Sequence, residues 1–494
     1  MASEQFDLLV IGGGIHGAGV ARDAALRGLK VALVEKGDFA SGTSSKSSKL
    51  IHGGLRYLER FEFGLVRESC RERRILQDIA PHLVKPLPFL IPIYKDDPRP
   101  PWMIGMGLTL YDLLAPMMQN LRGHQMLSSE EALRELPELR REGLVGAAEY
   151  WDCRENDARF CLANVVDAAA HGASCANHVE AVAFSPGEGR IEYATVRDCM
   201  SDLRFDVRAK AFVNAGGPWV DRIAGRAGPA QIELRRTKGV HVVTRRLTRF
   251  HALLLQTRRD GRVFFVIPWA ENHSLIGTTD TDFAGDLDQV EIARQDIEYL
   301  IEEARHALPS AELTDRDVLS AFAGLRPLLQ QPGRAPSDVT RRHKLVIAPN
   351  GLISIVGGKY TTYRAVSEEV VDLICRSIPG TKGPCQTACT MLAPEFLADL
   401  FGGHIEYSSN HPSRWERETP EEWTARILPH AVRYSVTHEM AMTVHDFLFR
   451  RTNLGYTCPN LDPVARRVAD EMQKLLNWPE DVKSRLLGEA TRPS

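Results

Sequence analysis

A glycine turn between residues 11 and 18 constrains the fold of this chain more than any other feature. The apolar run from Asp7 to Ile11 leads into Gly12-Gly13-Gly14-Ile15-His16-Gly17, which fits G-x-G-x-x-G at Gly12, Gly14 and Gly17. Between a strand and a helix, such glycines allow a tight turn, close approach of backbone to a pyrophosphate, and helix–strand packing. The free N–H groups and dipole of the helix favour the pyrophosphate charge. We therefore predict an α/β dinucleotide-binding unit.

The segments after the turn support this prediction. A helix ending at Arg27-Gly28 is followed by a second apolar strand, Leu29 to Val34, and then by Glu35. An acid at this position accepts hydrogen bonds from an adenosine ribose and disfavours a 2′-phosphate. A lone glycine pattern is weak evidence, but strand, turn, helix, strand and acid in this order favour a bound dinucleotide.

Composition limits the remaining possibilities. A chain of 494 residues suggests two or three domains, and 44% hydrophobic with 25% charged residues is typical of globular proteins. The net charge of −3 gives no attraction to nucleic acid, so no nucleic-acid partner is predicted. The nine cysteines show no metal-ligand spacing; we interpret the close pair Cys385 and Cys389 as unrelated buried thiols and predict no metal. The N-terminus lacks a signal-peptide pattern, which favours the cytosolic side.

Two further stretches have the character of cofactor loops. Residues 42–57 are rich in hydroxyls and then in glycine; the alternative is a solvated surface loop. The strand from Leu352 to Val356 runs into Gly357-Gly358-Lys359 and a predicted helix, whose N-terminus would stabilise charge on a reduced flavin. Because FAD is long and largely buried, two distant glycine turns and a hydroxyl loop suit FAD better than NAD.

The middle of the chain, residues 145–330, reads as β-rich. Antiparallel strands are predicted at Val179–Phe184, Ile191–Val196 and Leu203–Val207, the first two separated by a turn at 185–189, and further strands at Val240–Thr244, Val263–Trp269 and Ser274–Gly277. The run Ala211 to Val213, followed by a glycine turn, should rejoin the first sheet. From about residue 390 the pattern is helical, with helix starts at Thr419-Pro420 and Asp462-Pro463.

Two helices are predicted between residues 59 and 121. Residues 59–80 form a charged amphipathic helix that we interpret as scaffold. The uncharged run 102–111 is too short to span a bilayer, and Asp112 would be costly within a span. An interfacial helix or a core helix remains.

Six motifs in order carry a family resemblance. They are the flavin turn, residues 43–57, Lys238-Gly239-Val240-His241, Gly277-Thr278-Thr279-Asp280, Gly324-Leu325-Arg326-Pro327 and residues 357–364. The chain resembles FAD-dependent, quinone-linked glycerol-3-phosphate dehydrogenases of the aerobic bacterial and mitochondrial type. The resemblance covers residues 5–375; beyond it, His438-Glu439 and residues 449–452 look like the family's cap, whereas 390–430 matches poorly.

The resemblance implies a fold and a domain division. The fold class is α/β (α+β), with a Rossmann-type FAD-binding domain of the D-amino-acid-oxidase/glutathione-reductase-like class, an antiparallel β substrate domain and a helical C-terminal cap. Residues 1–389 form the oxidoreductase region, with FAD-binding parts at about 1–80, 150–230 and 345–380 and substrate parts at about 81–149 and 231–344. Residues 390–494 form the cap.

The resemblance also suggests catalytic residues. His241 is the expected general base, since the pKa of histidine suits that role, and His52 is the rival. Arg56 and Tyr57 would orient the substrate oxygens. The substrate phosphate would be bound by Arg326, whose fork suits phosphate geometry, by Lys359 and, less securely, by Arg341. We place Lys359 at the opening of a helix, where a bound anion would offset its opposition to the dipole.

FAD is expected to be bound non-covalently by residues from the whole chain. These are Gly12, Gly14, Gly17, Glu35, Thr43, Ser44, Ser45, Ser48, Lys49, Leu50, His52, Val179, Ala215, Gly216, Gly358, Lys359, Tyr360 and Thr361.

The implied reaction is oxidation of glycerol 3-phosphate to dihydroxyacetone phosphate, with electrons passed to a membrane quinone. The enzyme would then lie peripherally on the cytoplasmic side of the membrane, with residues 101–118 as the contact and Lys85, Lys95, Arg99 and Arg122 as a basic rim. The alternatives are a soluble oxidase that uses oxygen, an amine oxidase of the same fold, and a flavin-binding regulatory protein. The oligomeric state stays open, with a homodimer among the alternatives.

Overall fold

The chain divides into two compact units. The computed structural model describes residues 1–115, 121–185, 189–229, 232–270, 272–330, 342–378, 380, 383–392 and 420–490, with backbone only at 420–426. Unit 1 comprises Met1–Ser45, Asp157–Thr237 and Leu325–Arg492, and unit 2 comprises Lys46–Asn156 and Lys238–Gly324. This division differs from the predicted one, since residues 46–80 belong to unit 2 and 325–344 to unit 1.

The strands, in chain order, are these: β1 (Gln5–Ile11), β2 (Val31–Val34), β3 (Leu50–Ile51), β4 (Lys85–Tyr94), β5 (Gln125–Ser128), β6 (Leu144–Arg154), β7 (Ser174–Ala176), β8 (Val179–Phe184), β9 (Tyr193–Asp198), β10 (Arg204–Asn214), β11 (Leu234–Arg245), β12 (Ala252–Gln256), β13 (Val263–Trp269), β14 (His273–Gly277), β15 (Thr281–Asp282), β16 (Val318–Leu329), β17 (His343–Ile347) and β18 (Leu352–Gly357).

The α-helices are α1 (Ile15–Leu26), α2 (Phe63–Ile79), α3 (Pro101–Leu114), α4 (Ser129–Glu135), α5 (Asp157–Ala170), α6 (Val220–Ala227), α7 (Arg294–Ala307), α8 (Tyr363–Ser377), α9 (Pro420–Glu439), α10 (Val444–Asp446), α11 (Leu454–Thr457), α12 (Leu461–Leu476) and α13 (Glu480–Ala490). Shorter 3₁₀ turns include Thr43–Ser45 and Leu55–Arg60, and a π turn covers Phe447–Arg451.

The sheet of unit 1 has a parallel centre, in the order β17-β18-β10-β1-β2-β7. In register, Ile11 pairs with Val34 on one side and with Asn214 on the other. Because carboxyl ends of parallel strands meet at one edge, the Gly12 turn, Glu35 and Ala215 come together there. The predicted meander is confirmed, since β8, β9 and β10 pair antiparallel; most of its first turn, residues 186–188, lies outside the described residues.

Helix α5 was not predicted within the segment that we interpreted as β-rich, residues 145–330. It packs beside α1, and most of its residues are buried, including Asp157, Asn164 and Asp167. Two of these polar side chains have close partners: Arg22 Nε donates to Asp167 at 2.5 Å, and the Tyr363 hydroxyl donates to Asn164 at 2.9 Å. A helix buried on nearly all sides lacks the amphipathic periodicity by which sequence patterns reveal helices.

The sheet of unit 2 runs β15-β11-β14-β13-β12-β4-β6-β3, with β16 added to β11 and β5 to β6. The predicted strands within β11, β13 and β14 are confirmed, and they pair antiparallel. Strand β4 was not predicted because it contains Pro86, Pro88 and Pro92. These alternate positions share one edge of the strand, so the N–H groups of the other edge still pair with β6.

A helix in this stretch, α3, is confirmed, and one of its apolar faces is exposed, whereas the contact of that face with a membrane stays a prediction. Trp102, Met106 and Leu113 are 65%, 61% and 70% exposed, whereas Leu108 and Tyr111 are buried. The core-helix alternative is therefore wrong for this apolar face. Among the helices that the structure describes, none is long and apolar enough to cross a membrane.

The C-terminal part is helical, as predicted. Helices α9 and α12 begin at Pro420 and Leu461, beside the predicted starts, although Thr419 and most of 390–430 lie outside the described residues. The nine cysteines are free thiols, and Cys389 is exposed, which corrects the prediction that both members of the Cys385–Cys389 pair are buried.

Candidate cofactor and substrate sites

Each glycine of the first turn has a separate reason to be glycine. Gly12 has φ +110°, and a Cβ there would lie 2.6 Å from the carbonyl oxygen of Ala215. A Cβ at Gly17 would overlap the carbonyl oxygen of Gly12. At Gly14, which precedes α1, a Cβ would meet only Ser44 Oγ, at 3.1 Å. Gly14 is thus the point at which the protein leaves its backbone open to approach, as a pyrophosphate site requires.

Two of the predicted cofactor hydroxyls also support the protein itself. Ser44 Oγ accepts a hydrogen bond from the Ile15 N–H at 2.9 Å, in the first turn of α1. Thr43 Oγ1 donates to the Leu325 carbonyl at 2.6 Å, and Ser45 is buried beside them. The Ser44 bond fixes the loop against the N-terminus of α1, and the Thr43 bond fixes it against β16.

Glu35 ends β2 beside the glycine turn. Its carboxylate accepts hydrogen bonds from the N–H groups of Gly13 at 2.6 Å and Gly37 at 2.8 Å. Burial raises the pKa of the carboxyl, although the two N–H groups act in the opposite direction. The Val179 N–H donates to the Glu35 carbonyl at 2.7 Å. The position of Glu35 at the end of β2 is as predicted, and its role as a ribose ligand stays a prediction.

Ala215 and Gly216 continue β10 into the same edge. The Ala215 N–H donates to the Ile11 carbonyl at 2.8 Å, and the Gly216 N–H donates to Asn214 Oδ1 at 3.2 Å. The loop from β10 therefore packs directly on the strand that leads into the first turn.

The third glycine turn meets the first through His16. Gly357 and Gly358 have φ +73° and +100°, and a Cβ at Gly358 would lie 2.7 Å from His16 Cε1. Sequence reasoning did not select His16, because a histidine inside a glycine motif has no distinctive spacing. Its Nε2 is buried with no hydrogen-bond partner among the described residues. Burial, with a smaller contribution from His343, lowers the pKa of His16 to about 4.

One prediction about the third turn was wrong. Helix α8 begins at Tyr363, so Lys359 lies in the preceding loop and does not open the helix. The argument that its charge opposes the dipole therefore does not hold. The Tyr360 hydroxyl donates to the Asp157 carbonyl at 2.5 Å, and Thr361 is buried.

His241 is the centre of a cluster in unit 2. The side chain is 2% exposed, its Nε2 lies 2.9 Å from Ser48 Oγ, and its ring stacks on Phe322 with centroids 5.0 Å apart. Across the β11–β14 pair His241 faces Gly277, where a Cβ would overlap the imidazole. Gly277 thus leaves the space that the ring occupies.

Ser48, Lys49 and Leu50, predicted as cofactor residues, lie in the unit that contains His241. Lys49 is 4% exposed, and its Nζ lies 5.0 Å from the centroid of Phe322 and 5.9 Å from that of Trp269. A buried ammonium over aromatic faces gains cation–π stabilisation. The Phe322 ring therefore contacts both His241 and Lys49.

The loop with His52, Arg56 and Tyr57 is also in unit 2, where a buried carboxylate, Asp152, holds it by a hydrogen bond. The Gly53 N–H donates to Asp152 Oδ1 at 3.0 Å. Asp152 in turn pairs with Arg73, and it accepts a bond from the Tyr111 hydroxyl of α3 at 3.0 Å. Sequence reasoning missed these supporting residues, because they come from α2, α3 and β6 and share no local pattern.

Of the two remaining residues predicted to bind the substrate phosphate, Arg326 and Arg341, the structure describes only Arg326. Arg326 lies in β16, half-buried, within the part that belongs to unit 1. Arg341 lies outside the described residues.

One group among the described residues has metal-ligand types: Asp38, His178 and Asp446, whose ligand atoms lie within 4.8 Å of one another. Both carboxylates already pair with arginines, Asp38 with Arg451 at 2.5 Å and Asp446 with Arg450 at 2.7 Å. We therefore assign the group to an ion-pair network.

The edge of unit 1 fits FAD. It has an open backbone position at Gly14, a terminal acid at Glu35, and a polar nitrogen enclosed at His16. In agreement, the profile of the family described as FAD dependent oxidoreductase matches residues 7–364, and that of the C-terminal domain of alpha-glycerophosphate oxidase matches residues 396–483. Fold and site together define an FAD-dependent oxidoreductase.

Similar proteins show which group of FAD-dependent oxidoreductases this chain belongs to. A glycerol-3-phosphate dehydrogenase of Synechocystis is 40% identical over 91% of this chain and 89% of its own length, and one of Mycobacterium leprae is 38% identical over 96% and 86%. The structure of the glycerol-3-phosphate dehydrogenase from Bacillus halodurans complexed with FAD superposes with TM-score 0.79 and 31% identity, over 99% of this chain and 94% of that one. The chain belongs to the glycerol-3-phosphate dehydrogenases of the FAD dependent oxidoreductase family. The predicted fold class and cofactor, FAD, are confirmed.

Proposed function

We propose that the protein oxidises glycerol 3-phosphate to dihydroxyacetone phosphate and passes the electrons to a membrane quinone. The observation that carries the substrate is the likeness, over 91% of this chain, to a protein named glycerol-3-phosphate dehydrogenase. Bound FAD supplies the hydride acceptor of the reaction.

His241 is the proposed acceptor of the C2 hydroxyl proton. Its Nε2 is 2.9 Å from Ser48 Oγ, and its ring is held between Gly277 and Phe322, so the imidazole has a defined orientation. A general base that is already oriented does not have to be ordered during the reaction. His52 is the alternative base in this proposal.

The cationic residues have proposed roles on the substrate. Arg326 would bind the phosphate with two parallel hydrogen bonds, with Lys359 and Arg341 adding positive charge. Arg56 and Tyr57 would orient the oxygens at C1 and C2 and stabilise developing alkoxide charge.

The substrate assignment can be tested by anaerobic flavin reduction. Purified holoprotein is mixed with glycerol 3-phosphate, and with glycerol, glycine or proline as matched controls, while the flavin absorbance is followed. Bleaching by glycerol 3-phosphate alone supports the proposal. Bleaching by an amino acid, or no bleaching by glycerol 3-phosphate, contradicts it.

The proposal that a membrane quinone accepts the electrons requires a membrane contact, and the exposed face of α3 is the candidate for it. Trp102, Met106 and Leu113 share an exposed helical face with Met103 and Leu110, as in helices that lie in a membrane interface. Part of the predicted contact, residues 116–118, lies outside the described residues. Of the proposed basic rim, Arg99 is already paired with Glu59 at 2.9 Å, which lowers its contribution.

A double variant, Met106→Glu with Leu113→Glu, tests this contact. We expect loss of liposome flotation and of quinone reduction, while reduction of a soluble dye is retained. Leu203→Glu, at a site 68% exposed in the turn just before β10, is the matched control and should float like the parent protein. Rapid peroxide formation with oxygen, equal to the quinone rate, would favour an oxidase.

A further inference from the structure

Two arginines of the C-terminal helices hold the loop that follows β2. Arg451 donates to both oxygens of Asp38, at 2.5 Å and 2.9 Å, and Arg450 Nε donates to Asp38 Oδ2 at 2.5 Å. All three side chains are buried, with Asp38 and Arg451 each 1% exposed. The neighbouring arginines hold the pKa of Asp38 below its ordinary value against the opposing effect of burial, which is the largest single influence.

The clamped loop is the one that carries Glu35. Gly37 donates to the Glu35 carboxylate at 2.8 Å, and its carbonyl accepts the His178 N–H at 2.7 Å. Ala40 donates to the Gly13 carbonyl at 3.0 Å, and the Phe39 ring lies 2.6 Å from where a Gly13 Cβ would be. Movement of Asp38 would therefore move Glu35 and the glycine turn with it.

A second layer of contacts completes the clamp. Asn177 Nδ2 donates at 2.8 Å both to Asp38 Oδ1 and to the Met440 carbonyl. His178 Nε2 lies 3.0 Å from Asp446 Oδ2, and Asp446 accepts from Arg450 at 2.7 Å. Removing one member of such a buried network leaves its partner's charge without compensation.

We propose that Arg450 and Arg451 are positioning residues for the adenosine end of FAD. They act through Asp38 on the Glu35 loop, so that the C-terminal helices contribute to cofactor affinity. The inference depends on FAD binding and on unit 1 only. It is independent of the substrate proposed above.

The test compares two buried ion pairs of the same C-terminal segment. Arg451→Lys keeps the charge but loses the fork on Asp38. Arg159→Lys is the matched control, because Arg159 is 6% exposed and forms a two-bond pair with the Glu439 carboxylate, at 2.7 Å and 2.9 Å. Arg451 also contacts Glu439, through the Glu439 carbonyl at 2.7 Å, so both variants disturb the same segment, whereas the two bonds from residue 451 to Asp38 are lost only in Arg451→Lys. For each apoprotein, the dissociation constants of FAD and of ADP and the thermal midpoint are measured.

We expect Arg451→Lys to raise both dissociation constants by about tenfold each, because a lysine cannot hold Asp38 with two parallel hydrogen bonds as the arginine fork does. Arg159→Lys should lower the thermal midpoint to a similar extent and leave both constants within about twofold. If both variants weaken FAD equally, the network merely anchors the helices. If Arg451→Lys weakens FAD and leaves ADP unaffected, the adenosine end is not its target. Either result overturns the proposal.

A second variant covers the case in which Arg451→Lys does not fold. Arg450→Lys retains a charge near Asp38 and Asp446 and removes only one of the bonds to Asp38. It should weaken FAD and ADP to the same extent as each other, by less than Arg451→Lys would. Unchanged binding of both ligands in this folded variant overturns the proposal as well.

Discussion

The edge of unit 1 with the glycine turns and Glu35, the cofactor edge, and the His241 cluster of unit 2 are made of different chemical groups. The first is made mainly from backbone: glycines with positive φ, N–H groups at the start of α1, and close contacts such as Gly12 with Ala215. The second is made from the side chains of Ser48, His241 and Phe322, which come from three separate segments. A backbone site fails when a Cβ is added at a close backbone contact such as Gly12 or Gly17, whereas a side-chain site loses its function in steps.

The largest expected effect is at Gly17. In Gly17→Val the new side chain would overlap the carbonyl of Gly12, so strand, turn and helix cannot close, and we expect purified protein without flavin. The measurement is the ratio of flavin to protein absorbance. The control is Gly14→Ala, whose Cβ meets only Ser44 Oγ. It should fold normally and bind FAD more weakly, and a yellow Gly17→Val protein would contradict the backbone account.

The next effect concerns His241. Removal of a general base should slow flavin reduction by roughly 10²- to 10⁴-fold, while the FAD content of His241→Ala stays that of the parent protein. Stopped-flow reduction by glycerol 3-phosphate measures the rate. An unchanged rate would move the proposed base to His52.

A smaller effect is expected at Ser48. Ser48→Ala removes one hydrogen bond to His241, and a neutral bond of about 1 kcal/mol corresponds to a roughly fivefold slower reduction. A loss as large as that of His241→Ala would show that the cluster fails as a unit and would break the contrast with the backbone site.

The smallest expected effect is on stability, and it concerns the pair of His178 with Asp446, next to the loop that follows β2. Burial lowers the pKa of His178, but the bond and charge of Asp446 outweigh it and raise the pKa above its ordinary value. The pair's contribution to stability is therefore fully present below the ordinary histidine pKa of ~6.5 and is lost as pH rises through the raised value.

The measurement is the thermal midpoint of the apoprotein between about pH 6 and pH 9, compared with His178→Gln. The difference between parent and variant should shrink as pH rises. A difference that grows with pH would have the wrong sign for a raised pKa.

Sequence reasoning recovered the cofactor side of this protein well. Gly12, Gly17 and Glu35 lie together beside the ends of β1 and β2, and β18 runs into the third glycine turn, as predicted. It placed Lys359 wrongly, since the start of α8 depends on local hydrogen bonds after the glycines and not on the glycines themselves. It missed α5, whose buried surroundings remove the periodicity on which a prediction depends.

The sequence by itself determined the glycine turns, the cofactor class and the strands that lead into those turns. These depend on sterics at positive φ and on the helix N-terminus, which act within a few residues. Only the tertiary structure decided the neighbours of His241 and Asp38. Ser48 and His241 are 193 residues apart in the chain, and Asp38 and Arg451 are 413 apart. Such contacts follow from sheet register and from the packing of distant segments, and no local pattern encodes them.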